Sequence, residues 1–339
     1  MGREGILDVT SAEERVSGGH ELEGVRGVSF AIAYRMLGSV AEAEDVVQEA
    51  LLRVHRAIAA GEQVASLPAF VSTVTTRLAL NELRSARRRR EQYVGEWLPA
   101  PVLADQVADP AGRAEMADSL SMALLVVLET LSPEQRAAWL LHDVFAYPFA
   151  EIATILARTE DSVRQLASRA RRHIEDRRPR VAATAQQREE LTEKFLAAVR
   201  DGDLAGLEAL LADDVVLTGD GGGKVPALAR SVHGRHHVAR TLGVWAGVLD
   251  GLPAASLRAV AVNGGPGVLV VDDQERLLSV WALDIAGSEI TAIRSVVNPD
   301  KLAHLGPLAD FGALVASYRD ARRAKTTSRR PDDEWPPDR

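Results

Sequence analysis

The chain has 339 residues, 46% hydrophobic and 26% charged, with a formal net charge of −8, enough for two or three domains that each bury a core. It has no cysteine, which excludes disulfides, thiol catalysis and cysteine-based zinc sites and fits a reducing cytoplasm. No apolar run approaches the roughly 20 residues of a bilayer span, and the acidic N-terminus lacks a signal peptide's apolar core, so a cytoplasmic protein with no membrane partner is expected.

Charge is segregated along the chain. Residues 1–50 hold ten acids against four arginines, residues 77–90 six arginines against one acid, and residues 158–180 eight against four. Two separate nucleic-acid surfaces on an otherwise acidic chain are expected. The polar stretches 1–20 and 322–339 are expected to be disordered.

From about Leu22 to Ile58 the pattern is helical, broken at Gly38 and Ser39, with a second helix over Ala41–Ala57. Val46, Val47, Ala50, Leu51 and Val54 share its core face. Leu52 projects on the other side among Glu42, Asp45, Glu49, Arg53 and Arg56, with Gln48 beside it. Such an arrangement suits the centre of a protein-binding patch, and a solvated face with one stray leucine is the plain alternative.

A further helix starts at Ser66 or Leu67 with Pro68. Phe70, Val74, Leu78 and Leu83 form its expected buried side. Thr73, Arg77, Asn81, Arg84 and Arg88 form an exposed ridge able to follow a nucleic-acid backbone. Residues 93–116, with Trp97-Leu98-Pro99-Ala100-Pro101 and Asp109-Pro110, read as a semi-rigid linker, because proline removes backbone donors and favours extended geometry.

Ser132, Pro133 and Gln135 form a capping box ahead of a helix-turn-helix over Phe149–His173. Phe149, Ile152, Ala153 and Leu156 share one face of its first helix, and Val163, Leu166, Ala167, Ala170 and Ile174 one face of its second. Thr159 is placed to cap the second helix. Its exposed face carries Ser162, Arg164, Gln165, Ser168, Arg169, Arg171 and Arg172, groups that hydrogen-bond base edges and phosphates in a major groove.

Three of these stretches, in this order, resemble the extracytoplasmic-function group of sigma factors. Glu42–Arg53 is similar to the polymerase-binding helix of region 2, residues 66–90 to the part of region 2 that melts and reads the −10 element, and Leu131–Arg172 to region 4. The resemblance implies a promoter-specificity subunit. Asp45, Gln48, Glu49, Leu52 and Arg53 would dock on core RNA polymerase, at the clamp helices of its β′ subunit, with the flap of the β subunit as a further partner. Arg77, Asn81, Arg84 and Arg88 would meet the −10 strand, and Ser162, Arg164, Gln165, Ser168, Arg169 and Arg172 the −35 duplex.

The Trp97-Leu98-Pro99-Ala100-Pro101 stretch resembles the Trp-Leu-Pro-Glu-Pro motif of a subgroup with a fused C-terminal SnoaL-like domain, although Ala100 replaces its Glu. Helices at Glu190–Val199 and Asp203–Leu211 precede strands at Asp214–Thr218, Ser256–Val262, Gly267–Val271, Leu277–Leu283 and Ile290–Val297, which fits an α+β cone with a curved antiparallel sheet. Two motifs match the subgroup: the glycine-rich turn Asp220-Gly221-Gly222-Gly223-Lys224, and Asn298-Pro299-Asp300-Lys301-Leu302 after the last strand. With Trp97, Leu98, Pro99 and Pro101, they are expected to form one surface where linker and C-terminal domain meet.

The expected fold is thus multidomain: two all-α sigma domains followed by an α+β SnoaL-like cone. The expected segments are 1–20 (disordered extension), 21–92 (region 2), 93–116 (linker), 117–180 (region 4), 188–310 (the SnoaL-like regulatory domain) and 311–339 (tail). No catalytic dyad, cofactor or metal is assigned. His233, His236 and His237 lack carboxylates at metal-ligand spacing and read as a surface loop, and Trp245 and Trp281 as core or pocket lining. A small-molecule ligand of the cone stays open. So do two alternatives: a one-component helix-turn-helix regulator whose cone senses a ligand, and an enzyme carrying a DNA-binding region.

Overall fold

The structure, a computed structural model, describes residues 25–90, 92–103, 120–177, 183–250 and 255–316, without the side chains of 86–89, 249 and 250. The stretches expected to be disordered, and Asp109-Pro110, lie outside the described residues. The described chain divides into two compact units: residues up to Gln92 with residues 120–177, and Tyr93–Leu103 with residues 183–316.

In the first unit, helix α1 (residues 25–37) ends at Gly38, whose φ of 65° suits a residue without Cβ. Ser39 then caps α2 (Val40–Ala59) by accepting a hydrogen bond from the Glu42 amide at 3.3 Å. The core face of α2 is as expected, with Val46, Val47, Ala50 and Val54 buried, Leu51 half-buried and Leu52 exposed.

Helix α3 (Leu67–Arg90) departs from expectation. Its buried residues are Val71, Ala79, Leu80 and Leu83 with Ser72, Thr75 and Thr76, while Phe70, Val74 and Leu78 are only half-buried. The helix packs on α2 and also on α5 (Pro133–Trp139) and α6 (Phe149–Leu156), so its burial is not a single apolar stripe. Two of these buried hydroxyls find partners: Thr75 bonds Ser29 at 2.6 Å, and Ser72 accepts from the Tyr147 hydroxyl at 2.7 Å, while the Thr76 hydroxyl has none.

The remaining helices are α4 (Met122–Glu129), α5, a π turn at Leu140–Val144, α6 and α7 (Glu160–Glu175). The capping box at Ser132 and Gln135 forms in full, with both hydrogen bonds present. Thr159 caps α7, accepting from the Ser162 amide at 3.3 Å. On α6 the second fully buried residue after Ile152 is Ile155, while Leu156 is half-buried; Ile155 stands three residues from Ile152, on the side that α7 covers. No described helix is long and apolar enough to cross a membrane.

The second unit starts with α8 (Ala185–Asp201) and α9 (Leu204–Leu210), followed by β1 (Leu211–Asp220), β2 (Val232–His233), α10 (Arg235–Asp250), β3 (Ser256–Val262), β4 (Gly265–Val271), β5 (Leu277–Ala286), β6 (Glu289–Val296) and α11 (Pro299–Leu302). The sheet order is β2-β1-β6-β5-β4-β3. The sheet is not wholly antiparallel, because β1 runs parallel to β6. Parallel neighbours need a long crossover, and α10 with the β3–β5 meander supplies it. Helix α10 also replaces the expected surface loop, as His236 and His237 lie in its first turn and His233 in β2. The core packs Phe195, Val199, Val238 and Leu242 from the helices against Trp281, Leu283 and Ile293 from the sheet.

Candidate functional site

On α2, Asp45, Gln48, Leu52 and Arg53 are exposed and Glu49 is half-buried, with Arg53 Nε donating to Glu49 Oε1 at 2.7 Å. Leu52 keeps 43% of its surface in solvent, so it is an apolar centre ringed by polar groups. Such a centre is suited to a protein partner.

The arginine ridge of α3 is already engaged within its own unit. Arg77 donates through Nε to the Ile155 carbonyl at 3.0 Å and through Nη2 to the Thr154 carbonyl at 2.9 Å. These are last-turn carbonyls of α6, where a helix leaves acceptors unpaired and its dipole favours a cation. Arg84 approaches Glu134 at 3.4 Å, and Glu134 also holds Arg158 at 2.9 Å. Asn81 is exposed. The side chain of Arg88 lies outside the described residues.

On α7, Arg164, Gln165, Arg169 and Arg172 are exposed, and Ser162 and Ser168 half-exposed. Arg164 stacks its guanidinium 4.5 Å over the Phe149 ring and pairs with Glu160. Arg172 donates to Ser168 Oγ at 3.2 Å. Arg171 turns away to Asp143 at 2.6 Å, a contact that fixes the helix and does not present the group to a ligand. The remaining face can lay a fork of donors along a groove.

In the second unit the linker residues and both turn motifs come together on one buried carboxylate. Asp220, fully buried at the end of β1, accepts from the Tyr93 hydroxyl at 2.5 Å, the Leu98 amide at 2.8 Å and the Gly222 amide at 3.1 Å, and pairs with Lys301 Nζ at 2.7 Å. Lys301 also donates to the Leu98 carbonyl and lies 4.0 Å over the Trp97 ring and 5.0 Å from that of Tyr93. A desolvated cation gains from both ring faces. Burial and the bond to Asp220 raise the Tyr93 phenol far above its ordinary range, which keeps it a donor.

Asn298 caps α11, accepting from the Asp300 amide at 3.1 Å, and gives its Nδ2 to Tyr93 at 2.8 Å. The glycine run has a steric cause at Gly222. Its φ is 60°, and a Cβ there would strike the Asn298 amide. Lys224 closes the outer edge with Asp300 at 2.6 Å. Pro99 and Ala100 are buried, so the place of the motif's Glu is taken here by a methyl group in a dry setting.

Farther along the linker, Val102 and Asn263 exchange hydrogen bonds, with Val102 N donating to Asn263 Oδ1 at 3.1 Å and Asn263 N to the Val102 carbonyl at 2.8 Å. His304 Nε2 meets the Pro101 carbonyl at 2.8 Å, and burial lowers its proton affinity below the ordinary histidine value. Sequence reasoning missed Tyr93, Asn263 and His304 as linker contacts. Tyr93 carried a signal: an aromatic at the linker's first position has little reason to stay in water. Among the described residues no cluster of His, Asp or Glu could hold a metal.

The Sigma-70 region 2 family matches residues 25–89 and the Sigma-70, region 4 family residues 121–174. Over 290 residues the chain is 38% identical to the ECF RNA polymerase sigma factor SigJ of Mycobacterium tuberculosis, covering 83% of this chain and 92% of that protein. It is 34% identical over 275 residues to the probable ECF RNA polymerase sigma factor SigI of the same species, covering 80% and 90%. The crystal structure of M. tuberculosis SigJ superposes with a TM-score of 0.67 at 34% identity, over 86% of this chain and 99% of that one.

Proposed function

The chain belongs to the extracytoplasmic-function RNA polymerase sigma factors, and we propose that its C-terminal domain controls promoter use by holding the linker that follows region 2. The observation that carries this reading is the buried Asp220–Lys301 pair, which fastens Leu98 through its amide and its carbonyl. A linker held through both the amide and the carbonyl of one residue has little freedom there, and the linker's reach sets where the two DNA-reading regions can stand on a promoter.

The ridge of α2 around Leu52 is the dock for the clamp helices of the β′ subunit, and region 4 works beside the flap of the β subunit. Arg77, Asn81, Arg84 and Arg88 take the −10 strand, and Ser162, Arg164, Gln165, Ser168, Arg169 and Arg172 the −35 duplex. Arg77 must leave the carbonyls of α6 to reach DNA, so promoter engagement separates α3 from α6. A one-component operator reader would have no use for the α2 ridge. The role is not catalytic, and as a partner of RNA polymerase the protein acts in the cytoplasm.

Run-off transcription with purified core polymerase tests the reading in the full chain. RNA is expected only when the chain is added. Asp220→Ala, with linker release verified by limited proteolysis, should change promoter binding and output severalfold. Unchanged transcription from a chain whose linker is demonstrably free would overturn the regulatory role.

A further inference from the structure

We propose that the C-terminal domain binds a neutral, mostly apolar aromatic small molecule in the cavity between the sheet and α10. The cavity measures about 340 Å³, within the size range of small-molecule sites. Trp245 from α10, Trp281 from β5 and Phe311 from the helical residues 311–316 give it three aromatic walls. Flat aromatic faces favour a flat ring between them, by offset stacking and edge contacts.

The polar part of the site is two hydroxyls. Ser279 on β5 and Ser295 on β6 line the cavity with 4% and 3% exposure. Neither hydroxyl is among the described buried side-chain atoms that lack a partner, so both serines offer the cavity a polar group without a prior cost of burial. Strand register puts Ser295 opposite Trp281 on β5 and Gly219 on β1, so ring and hydroxyls share one face of the sheet. A ligand hydroxyl or carbonyl beside its ring would satisfy both serines. No described residue lining the cavity is charged, so a carboxylate or ammonium would lose its hydration there without compensation.

The site also touches the linker anchor. Gly219 and Leu228 are cavity walls, and a Cβ on Gly219 would stand 3.2 Å from Leu228. Between these two residues the chain carries Asp220, the carboxylate that fastens the linker. An occupant pressing on the segment 219–228 therefore acts on the residue that holds Leu98. This regulatory consequence rests on the role proposed above. The binding itself does not, and it is measured without polymerase.

Isothermal titration of the full chain with 2-naphthol, with 2-naphthoate and naphthalene as comparators, tests the proposal. Saturable one-to-one binding of 2-naphthol is expected, with 2-naphthoate weaker by about tenfold or more because its charge is unpaired in the cavity. The double variant Ser279→Ala/Ser295→Ala should weaken 2-naphthol by about fivefold, the scale of one hydrogen bond, and leave naphthalene unchanged. Val244 lines the cavity at 56% exposure, so Val244→Trp should narrow the mouth without touching the core and weaken both neutral probes. Absence of saturable binding by 2-naphthol, equal binding of 2-naphthoate, or no effect of either variant would overturn the proposal.

Discussion

In the first unit Arg136 is buried in α5 and donates to the Leu128 carbonyl at 2.8 Å and the Met36 carbonyl at 2.5 Å, while pairing with Glu129 at 2.8 Å. In the second unit Lys301 is buried in α11 and holds the Leu98 carbonyl and Asp220. Each is a desolvated cation that fixes backbone far away in sequence. The arginine's planar fork serves acceptors at the ends of α1 and α4 together, and Ile32, Leu37, Leu125 and Leu140 bury large apolar surface in the same unit. The lysine is a point charge holding a proline-rich strand, whose own buried side chains are mainly Leu98, Pro99, Ala100 and Val102. The first cation reinforces packing that stands without it. The second, with its carboxylate, fixes Tyr93, Trp97 and Leu98, beside the Asn263 and His304 contacts farther along the linker.

From that difference, Asp220→Ala should have the largest effect. It strands Lys301 in a dry site and removes the acceptor for Tyr93, Leu98 and Gly222, costing about 3–5 kcal/mol. The loss should appear in chemical denaturation and as new protease cleavage at residues 93–103. Arg136→Met should cost less, about 1–3 kcal/mol, chiefly from the Met36 carbonyl, because the Leu128 carbonyl keeps the Leu131 amide at 3.1 Å and Glu129 keeps its ion pair with Arg90. Its denaturation curve should shift without new cleavage in the linker. A larger loss from Arg136→Met than from Asp220→Ala would break the comparison. Burial lowers the proton affinity of Arg136, to about 9, and it remains charged at neutral pH.

Trp97→Ala should follow, at about 1–2 kcal/mol for the lost cation–π contact with Lys301, read as faster linker proteolysis with the denaturation of the first unit unchanged. The smallest effect concerns pH. His304 has a lowered proton affinity in the folded chain, so below the ordinary value near 6.5 the unfolded chain binds a proton that the folded chain does not. Its contribution is therefore complete above that pH and is lost as pH falls through it. Linker proteolysis should accelerate between pH 7 and 5.5, and His304→Gln, which keeps a donor for Pro101, should flatten that dependence.

The helix-turn-helix, its Thr159 cap and the box at Ser132 were legible because local rules fix them: apolar residues at helical spacing and a side-chain oxygen facing unpaired amides. The face of α2 was legible for the same reason. That of α3 was not, since a helix packed on two sides buries hydroxyls whose partners, such as Tyr147, come from elsewhere in the chain. Helix α10 escaped notice because its histidines, two glycines and moderate periodicity resemble a loop.

By itself the sequence determined the order of the domains, the helix ends, the exposed arginines and the motifs that belong together around the linker, all set by neighbours within a few residues. Only the tertiary structure decided that Tyr93 and Lys301 meet on Asp220, that Arg77 spends its donors on α6, that β1 lies parallel to β6 and that two serines and three aromatic rings line one cavity. Those outcomes depend on chain separated by tens to hundreds of positions and brought together by burial, which has no period along the sequence.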